Sequence, residues 1–213
     1  KSMSNLLSAL IKADRIHSPD VWFTYLLDDV LAGFYRKLKT PWSTQEHDVL
    51  FELSALYVAE VKNNPFRDVL GDVYQELSSH YKAKGLGQYF TPWPVAQMMS
   101  MFAQPDMSKF EEGPISLHEP TCGSGVMVLA FLDRLHQHDP TALERVELCL
   151  IDADIVCCKM VTVQILSNML INNLSVKSFE VLHGNALTLE VASFCKFEGR
   201  ALPSDINKQT QAA

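Results

Sequence analysis

One stretch constrains this 213-residue chain more than any other: His118-Glu119-Pro120-Thr121-Cys122-Gly123-Ser124-Gly125. An apolar run, Ile115-Ser116-Leu117, leads into it, and a helical pattern from Val126 to Leu135 follows. Strand, tight glycine-containing turn and helix together form the entrance to a Rossmann-like ligand site. Gly123 and Gly125 leave no side chain where backbone must approach a ligand. The free amides at the start of the helix then face that ligand. A G-x-G pair is a weak signal in isolation, so the flanking residues have to carry the reading.

They place two carboxylates at strand ends. Strand one, Ile115–His118, delivers Glu119 to the mouth of the sheet, where ligands of open α/β sheets bind. A carboxylate there can accept hydrogen bonds from an ammonium group. Strand two, Val146–Ile151, ends at Asp152, placed to bind both hydroxyls of a ribose. The interval from the glycine loop to Asp152 is longer than in a dinucleotide fold, and the long helix from Val126 to His138 accounts for it. G-x-G-x-x-G is not met, which argues against a nicotinamide dehydrogenase. Asp154 reads as the N-cap of a helix from Ile155 to Leu170. Strand three, Phe179–Leu182, runs into His183-Gly184-Asn185-Ala186-Leu187.

The first 80 residues read as a helical bundle. Ser4 or Asn5 caps a helix bearing Leu6, Leu7, Leu10 and Ile11. Pro19 opens a second, with Val21, Trp22, Tyr25, Leu26, Val30, Leu31 and Phe34 at helical spacing. Ser43 or Thr44 caps a third, reaching Val61. Asn64-Pro65 is read as the cap and first turn of a fourth, with Phe66, Val69, Leu70, Val73 and Leu77 facing inward. Lys82 to Gly87 forms a hinge. Gln88-Tyr89-Phe90-Thr91-Pro92 is extended, because Pro92 pushes Thr91 away from helical geometry. Thr91 or Trp93 then starts another helix.

Glu119-Pro120-Thr121-Cys122-Gly123-Ser124-Gly125 resembles the S-adenosyl-L-methionine (SAM) loop of adenine-N6 DNA methyltransferases. Gly87-Gln88-Tyr89-Phe90-Thr91-Pro92 resembles the family's second SAM-contacting motif, Asp152-Ala153-Asp154 its acidic segment, and Gly184-Asn185-Ala186-Leu187 its adenine-side turn. The resemblance is strongest to the methylation subunits of type I restriction–modification systems and covers roughly residues 65 to 190. It implies a DNA-methylation role in restriction–modification with SAM as cofactor. It also implies cofactor contacts from Phe90 beside the adenine, Thr91 and Glu119 at the methionine end, and Thr121, Gly123 and Gly125 in the loop. Asp152 would hold the ribose and Asn185 the adenine amine. The expected class is α/β. A helical domain, residues 1–84, precedes a partial Rossmann-like SAM domain, residues 85–213, with strands one to three and helices on both faces.

The family's catalytic segment, Asn/Asp-Pro-Pro-Tyr/Phe, occurs nowhere in the chain. No catalytic residue is therefore assigned, and whether the chain is an enzyme on its own stays open. Strand one would lie at a sheet edge with unpaired amides and carbonyls. Its expected cover is the tail after Leu187, a second copy, or another protein. Charge agrees with a dependent role. Residues 1–84 carry ten basic against eleven acidic side chains, and residues 85–213 carry eight against fourteen. Neither half has the basic stripe of a self-sufficient DNA binder, so DNA binding is expected only with a partner or further protein. Five cysteines without paired metal spacing suit a reducing compartment, the cytoplasm. No apolar run is long enough to span a bilayer. Three readings stay open: a SAM-binding module inactive alone, an active methyltransferase whose catalytic loop lies beyond these residues or is replaced by a divergent segment, and a non-enzymatic module engaging restriction–modification subunits.

Overall fold

The computed structural model describes residues 4–35, 42–81, 90–103, 106–110 and 112–198. Four helices come first: α1 (Asn5–Lys12), α2 (Pro19–Tyr35), α3 (Thr44–Asn63) and α4 (Val69–Tyr81). Helix α5 (Trp93–Ala103) leads to strand β1 (Ile115–Glu119), followed by α6 (Val126–His138) and β2 (Val146–Asp152). Helix α7 (Ile155–Ile171), strand β3 (Ser178–Asn185) and strand β4 (Glu190–Glu198) complete the described chain. The α/β class and the Rossmann-like order of β1, α6, β2, α7 and β3 are those expected. The hinge at residues 82–87 and the boundary at residue 84 lie outside the described residues.

Local chemistry starts the helices where the sequence reading put them. The Ser4 side chain accepts from the Leu7 N–H at the start of α1. Ser43 and Glu46 form a reciprocal capping box at the start of α3, satisfying two amides that the helix leaves without partners. Asp154 caps α7 by accepting from the Val156 N–H at 2.9 Å.

The segment at Asn64 departs from expectation. Asn64 ends α3 instead of opening the next helix, and residues 64–67 form a turn. Phe66 there has φ of 62°, and its N–H donates to Asn168 Oδ1 at 2.7 Å. That buried partner and the burial of its ring hold a conformation otherwise unfavourable for an aromatic residue. Helix α4 starts three residues later, after Asp68, whose Oδ1 accepts from the Gly71 N–H at 3.0 Å.

The sheet order is β1-β2-β3-β4. The first three strands are parallel, with Glu119 opposite Leu150 and Asp152 opposite His183. On β2, Val146, Leu148 and Leu150 are buried in one core with residues of α6 and α7, while Glu147, Cys149 and Ile151 alternate to the other face and stay partly exposed. Helix α7 is buried on nearly every side. Cys158, Val161 and Ile165 face the sheet core, and Cys157, Met160 and Val163 face a second core built by α1, α2, α3 and α4. A helix apolar all round is one packed between two layers.

The fourth strand is a finding the sequence reading did not contain. β4 returns antiparallel along β3, with Asn185 opposite Glu190 and the rings of Phe179 and Phe197 stacked at 5.4 Å. Only Cys195 and Phe197 of β4 are buried, so the strand alternates only towards its end. Residues 190–198 of the segment after Leu187, one of three expected covers for strand one, thus pair at the opposite edge of the sheet, and the part of that segment after Glu198 lies outside the described residues. Among the described residues β1 pairs with β2 alone and forms the other edge.

Candidate cofactor site

The site is built where β1, β2 and β3 end. Beyond Glu119 the chain turns through residues 120–125 into α6. The turn is stitched by Cys122 N–H to Ile151 O at 2.8 Å and Gly125 N–H to Cys122 O at 2.8 Å. Gly123 and Gly125 both have left-handed backbones, with φ of 54° and 99°. A Cβ on Gly125 would fall 2.6 Å from Val161 Cγ2, and one on Gly123 would fall 3.3 Å from the Phe90 ring. Glycine is therefore required at Gly125 by conformation and by the closeness of α7, and at Gly123 by conformation and the ring above it.

Asp152 is joined to that loop directly. Its Oδ2 accepts from the Gly123 N–H at 2.7 Å, and its Oδ1 accepts from the Asp154 N–H at 2.8 Å. Each oxygen keeps a further lone pair, so the two amides orient the carboxylate without using it up. Glu119 Oε1 accepts from the Thr121 N–H at 3.2 Å and the Thr121 hydroxyl at 3.4 Å, which fixes that carboxylate over the start of the turn. Phe90 is half-buried, with its ring edge-on to Tyr74 at 5.6 Å and against Gly123. Phe90, Gly123 and Asp152 thus form one connected cluster, and Glu119 with Thr121 forms the adjoining one. Thr91 follows Phe90 directly, ahead of α5.

Asn185 stands at the tip of the β3–β4 hairpin, two residues beyond the His183 that pairs with Asp152. Its Oδ1 accepts from the Leu187 N–H at 2.9 Å and the Thr188 N–H at 3.4 Å. The carboxamide oxygen is engaged in its own turn, which leaves the Nδ2 hydrogens as its donors towards a ligand. The thiol of Cys122 is pushed upward by burial and by the neighbouring Asp152, and that of Cys158 to about 12 for the same reasons. Neither is poised as a nucleophile.

The sequence reading assigned no site role to three residues of this region, Asp68, Ser124 and Gln164, all buried polar groups joined to one another beneath the loop. The available signal was a carboxylate three residues before Gly71 at the start of an apolar helical pattern.

The groups present fit a nucleoside carrying an amino-acid tail. Two fixed carboxylates suit a diol and an ammonium, an aromatic ring flanks the loop, and both loop glycines have left-handed backbones that other residues rarely adopt. With three parallel strands, a glycine turn after the first and an acidic end to the second, this is a partial Rossmann-like fold. The model of the N-6 DNA methylase family matches residues 66–198, and the chain belongs to that family. The cofactor of the family is S-adenosyl-L-methionine.

Two solved structures are similar in fold. One, from Listeria monocytogenes, is assigned to the class I S-adenosylmethionine-dependent methyltransferases. It aligns with a TM-score of 0.50 and 15% identity over 85% of this chain and 53% of its own. The other is assigned as a modification subunit of a type I restriction enzyme from Vibrio vulnificus, with a TM-score of 0.49 and 19% identity over 78% of this chain and 35% of its own. The chain thus spans about half of the first and about a third of the second. No curated protein matches it. Among the described residues, no helix is long and apolar enough to cross a membrane, and no cluster of His, Cys, Asp and Glu is arranged to hold a metal ion.

Proposed function

We propose that this chain is the SAM-binding part of an adenine-N6 DNA methyltransferase of restriction–modification type. Residues 1–84 serve as its helical part and residues 85–213 as its cofactor part. The observation that carries the reading is the Asp152 carboxylate, oriented by the Gly123 and Asp154 amides at the strand mouth beside Phe90. In this assignment Asp152 accepts from the ribose hydroxyls and Glu119 from the methionine ammonium. Phe90 flanks the adenine, Thr91 and Thr121 line the methionine end, and the Asn185 carboxamide meets the adenine edge. The bound group supplies a methyl on a positively charged sulfur.

No Asn/Asp-Pro-Pro stands among the 213 residues to hold a flipped adenine, so the target base is handled by residues from another chain or from further protein. The acidic balance of residues 85–213 assigns DNA contact to the same source. Titration calorimetry with SAM and with S-adenosylhomocysteine tests the reading. Both bind, and the purified chain alone transfers no methyl group to DNA. Absence of binding removes the cofactor assignment, and transfer by the chain alone removes its dependence on a partner.

The open edge of β1 belongs to the same proposal. A strand with unpaired amides and carbonyls is a template for another strand. Helix α5, packed on α6, exposes Met98, Met99, Met101 and Phe102. Pairing of that edge by a second copy or a different subunit is expected. Light scattering on the purified chain shows self-association that a proline at Leu117 abolishes, or a stable complex once the partner subunit is added. A chain that stays monomeric at high concentration and binds no such subunit contradicts it.

A further inference from the structure

Ser124, the middle residue of the glycine loop, is fully buried, and so is the side chain it meets. Its hydroxyl donates to Asp68 Oδ2 at 2.7 Å, reaching from the loop to the start of α4. Asp68 Oδ1 accepts from the Gly71 N–H at 3.0 Å and from Gln164 Nε2 at 2.8 Å. Gln164 Nε2 also donates to the Ser124 carbonyl at 2.8 Å, and Gln164 Oε1 accepts from the Leu70 N–H at 3.2 Å. The network therefore closes on itself across the loop, α4 and α7, and both amide hydrogens of Gln164 are used.

Its consequence for the loop is geometric. The peptide between Ser124 and Gly125 is held at both ends, its carbonyl by Gln164 and its N–H by the Cys122 carbonyl. That peptide sets the direction in which the first amides of α6 point. Gly71 makes room for the arrangement, since a Cβ there would fall 2.2 Å from Asp68 Oδ2 and 2.5 Å from Ser124 Oγ. Burial pushes the Asp68 carboxyl above its usual range, and the hydrogen bonds from Ser124, Gln164 and the Gly71 N–H oppose that push.

We infer that Asp68 is a positioning residue for the cofactor loop: through Ser124 and Gln164 it lets the helical bundle hold the loop in the shape that receives the ligand, without touching the ligand. The inference rests on the reading of that loop as a SAM site. It links two parts of the chain that the sequence treats as separate, because the loop is as rigid as its seat on α4.

The test uses the full chain and its Asp68→Ala, Asp68→Asn, Ser124→Ala and Asp68→Ala/Ser124→Ala variants. SAM affinity comes from calorimetry, loop order from amide hydrogen exchange at residues 122–126, and stability from thermal melting. Asp68→Ala weakens SAM binding about tenfold or more, the size of a lost hydrogen bond to a charged group, and speeds exchange in the loop. Asp68→Asn restores much of both, since its carboxamide still offers an acceptor at one oxygen and the Ser124 hydroxyl can turn to accept. The double variant loses little more than either single one, as coupled residues do. Leu10→Ala, a cavity in the helical core, lowers the melting temperature but leaves affinity and loop exchange unchanged, which separates positioning from general destabilisation. If Asp68→Ala does not fold, Ser124→Ala and Asp68→Asn supply the same comparison. Wild-type affinity and wild-type loop exchange in the folded variants overturn the inference. A parent chain that binds no SAM overturns the cofactor reading instead, and the exchange data then judge the loop's anchorage without it.

Discussion

Asp152→Ala lowers SAM affinity by roughly ten- to a hundredfold, the equivalent of about 1.5–3 kcal/mol for hydrogen bonds to a charged acceptor. The variant loses two things together. The ribose loses its carboxylate, and the Gly123 and Asp154 N–H groups lose the oxygens they bond at 2.7 and 2.8 Å. Asp152→Asn recovers the second loss in part, because its single oxygen can serve one of the two amides, but presents an NH2 where the other oxygen stood. Calorimetry on both variants, with circular dichroism to verify folding, orders them as parent, then Asn, then Ala. Equal affinity in all three would remove Asp152 from the ribose, and with it the residue on which the site assignment turns.

Gly184→Ala destabilises the fold by about 3 kcal/mol, combining strain at a backbone reserved for glycine with overpacking against main chain. Gly184 has φ of 149°, and a Cβ there would lie 2.1 Å from the Glu190 carbonyl oxygen and 2.7 Å from Val191 Cα. Those are backbone atoms of β4, which cannot swing aside as a side chain could. For a chain of this size the loss lowers the melting temperature by about 6–12 °C. Gly33→Ala supplies the contrast. Gly33 lies in α2, and nothing stands within 4 Å of the Cβ it would gain. That variant stabilises the chain by about 0.5–1 kcal/mol through helix propensity and a less disordered unfolded state. Thermal melts of both check the pair, and a neutral Gly184→Ala would mean that β4 does not run against β3 as described.

Much of the architecture was legible because it depends on short-range chemistry. Ser4, Ser43 and Asp154 cap helices where capping residues precede apolar periodicity. The glycine loop follows a short apolar strand, and Asp152 ends the next. The misreadings have one physical source. Asn64-Pro65 has the composition of a helix start, but Asn168, 102 residues away from Phe66, supplies the partner that turns the segment into a corner. β4 alternates only over its last residues, where Cys195 and Phe197 are buried, and its first half is placed by pairing with β3. The same hairpin sets the orientation of Asn185, whose oxygen accepts from the Leu187 and Thr188 N–H groups, a detail that no local pattern showed.

Sequence alone determined the order of the first three strands and the helices between them, the glycine turn and the carboxylates at the strand ends, because each follows from neighbours within a few residues. Tertiary structure alone decided how those pieces are held. The seat of Ser124 on Asp68, the burial of α7 between two cores and the hydrogen bond from the Phe66 N–H to Asn168 all involve groups distant in the chain. A buried hydrogen bond becomes favourable only when both partners have left water together, and no stretch of sequence names the partner it will meet after folding.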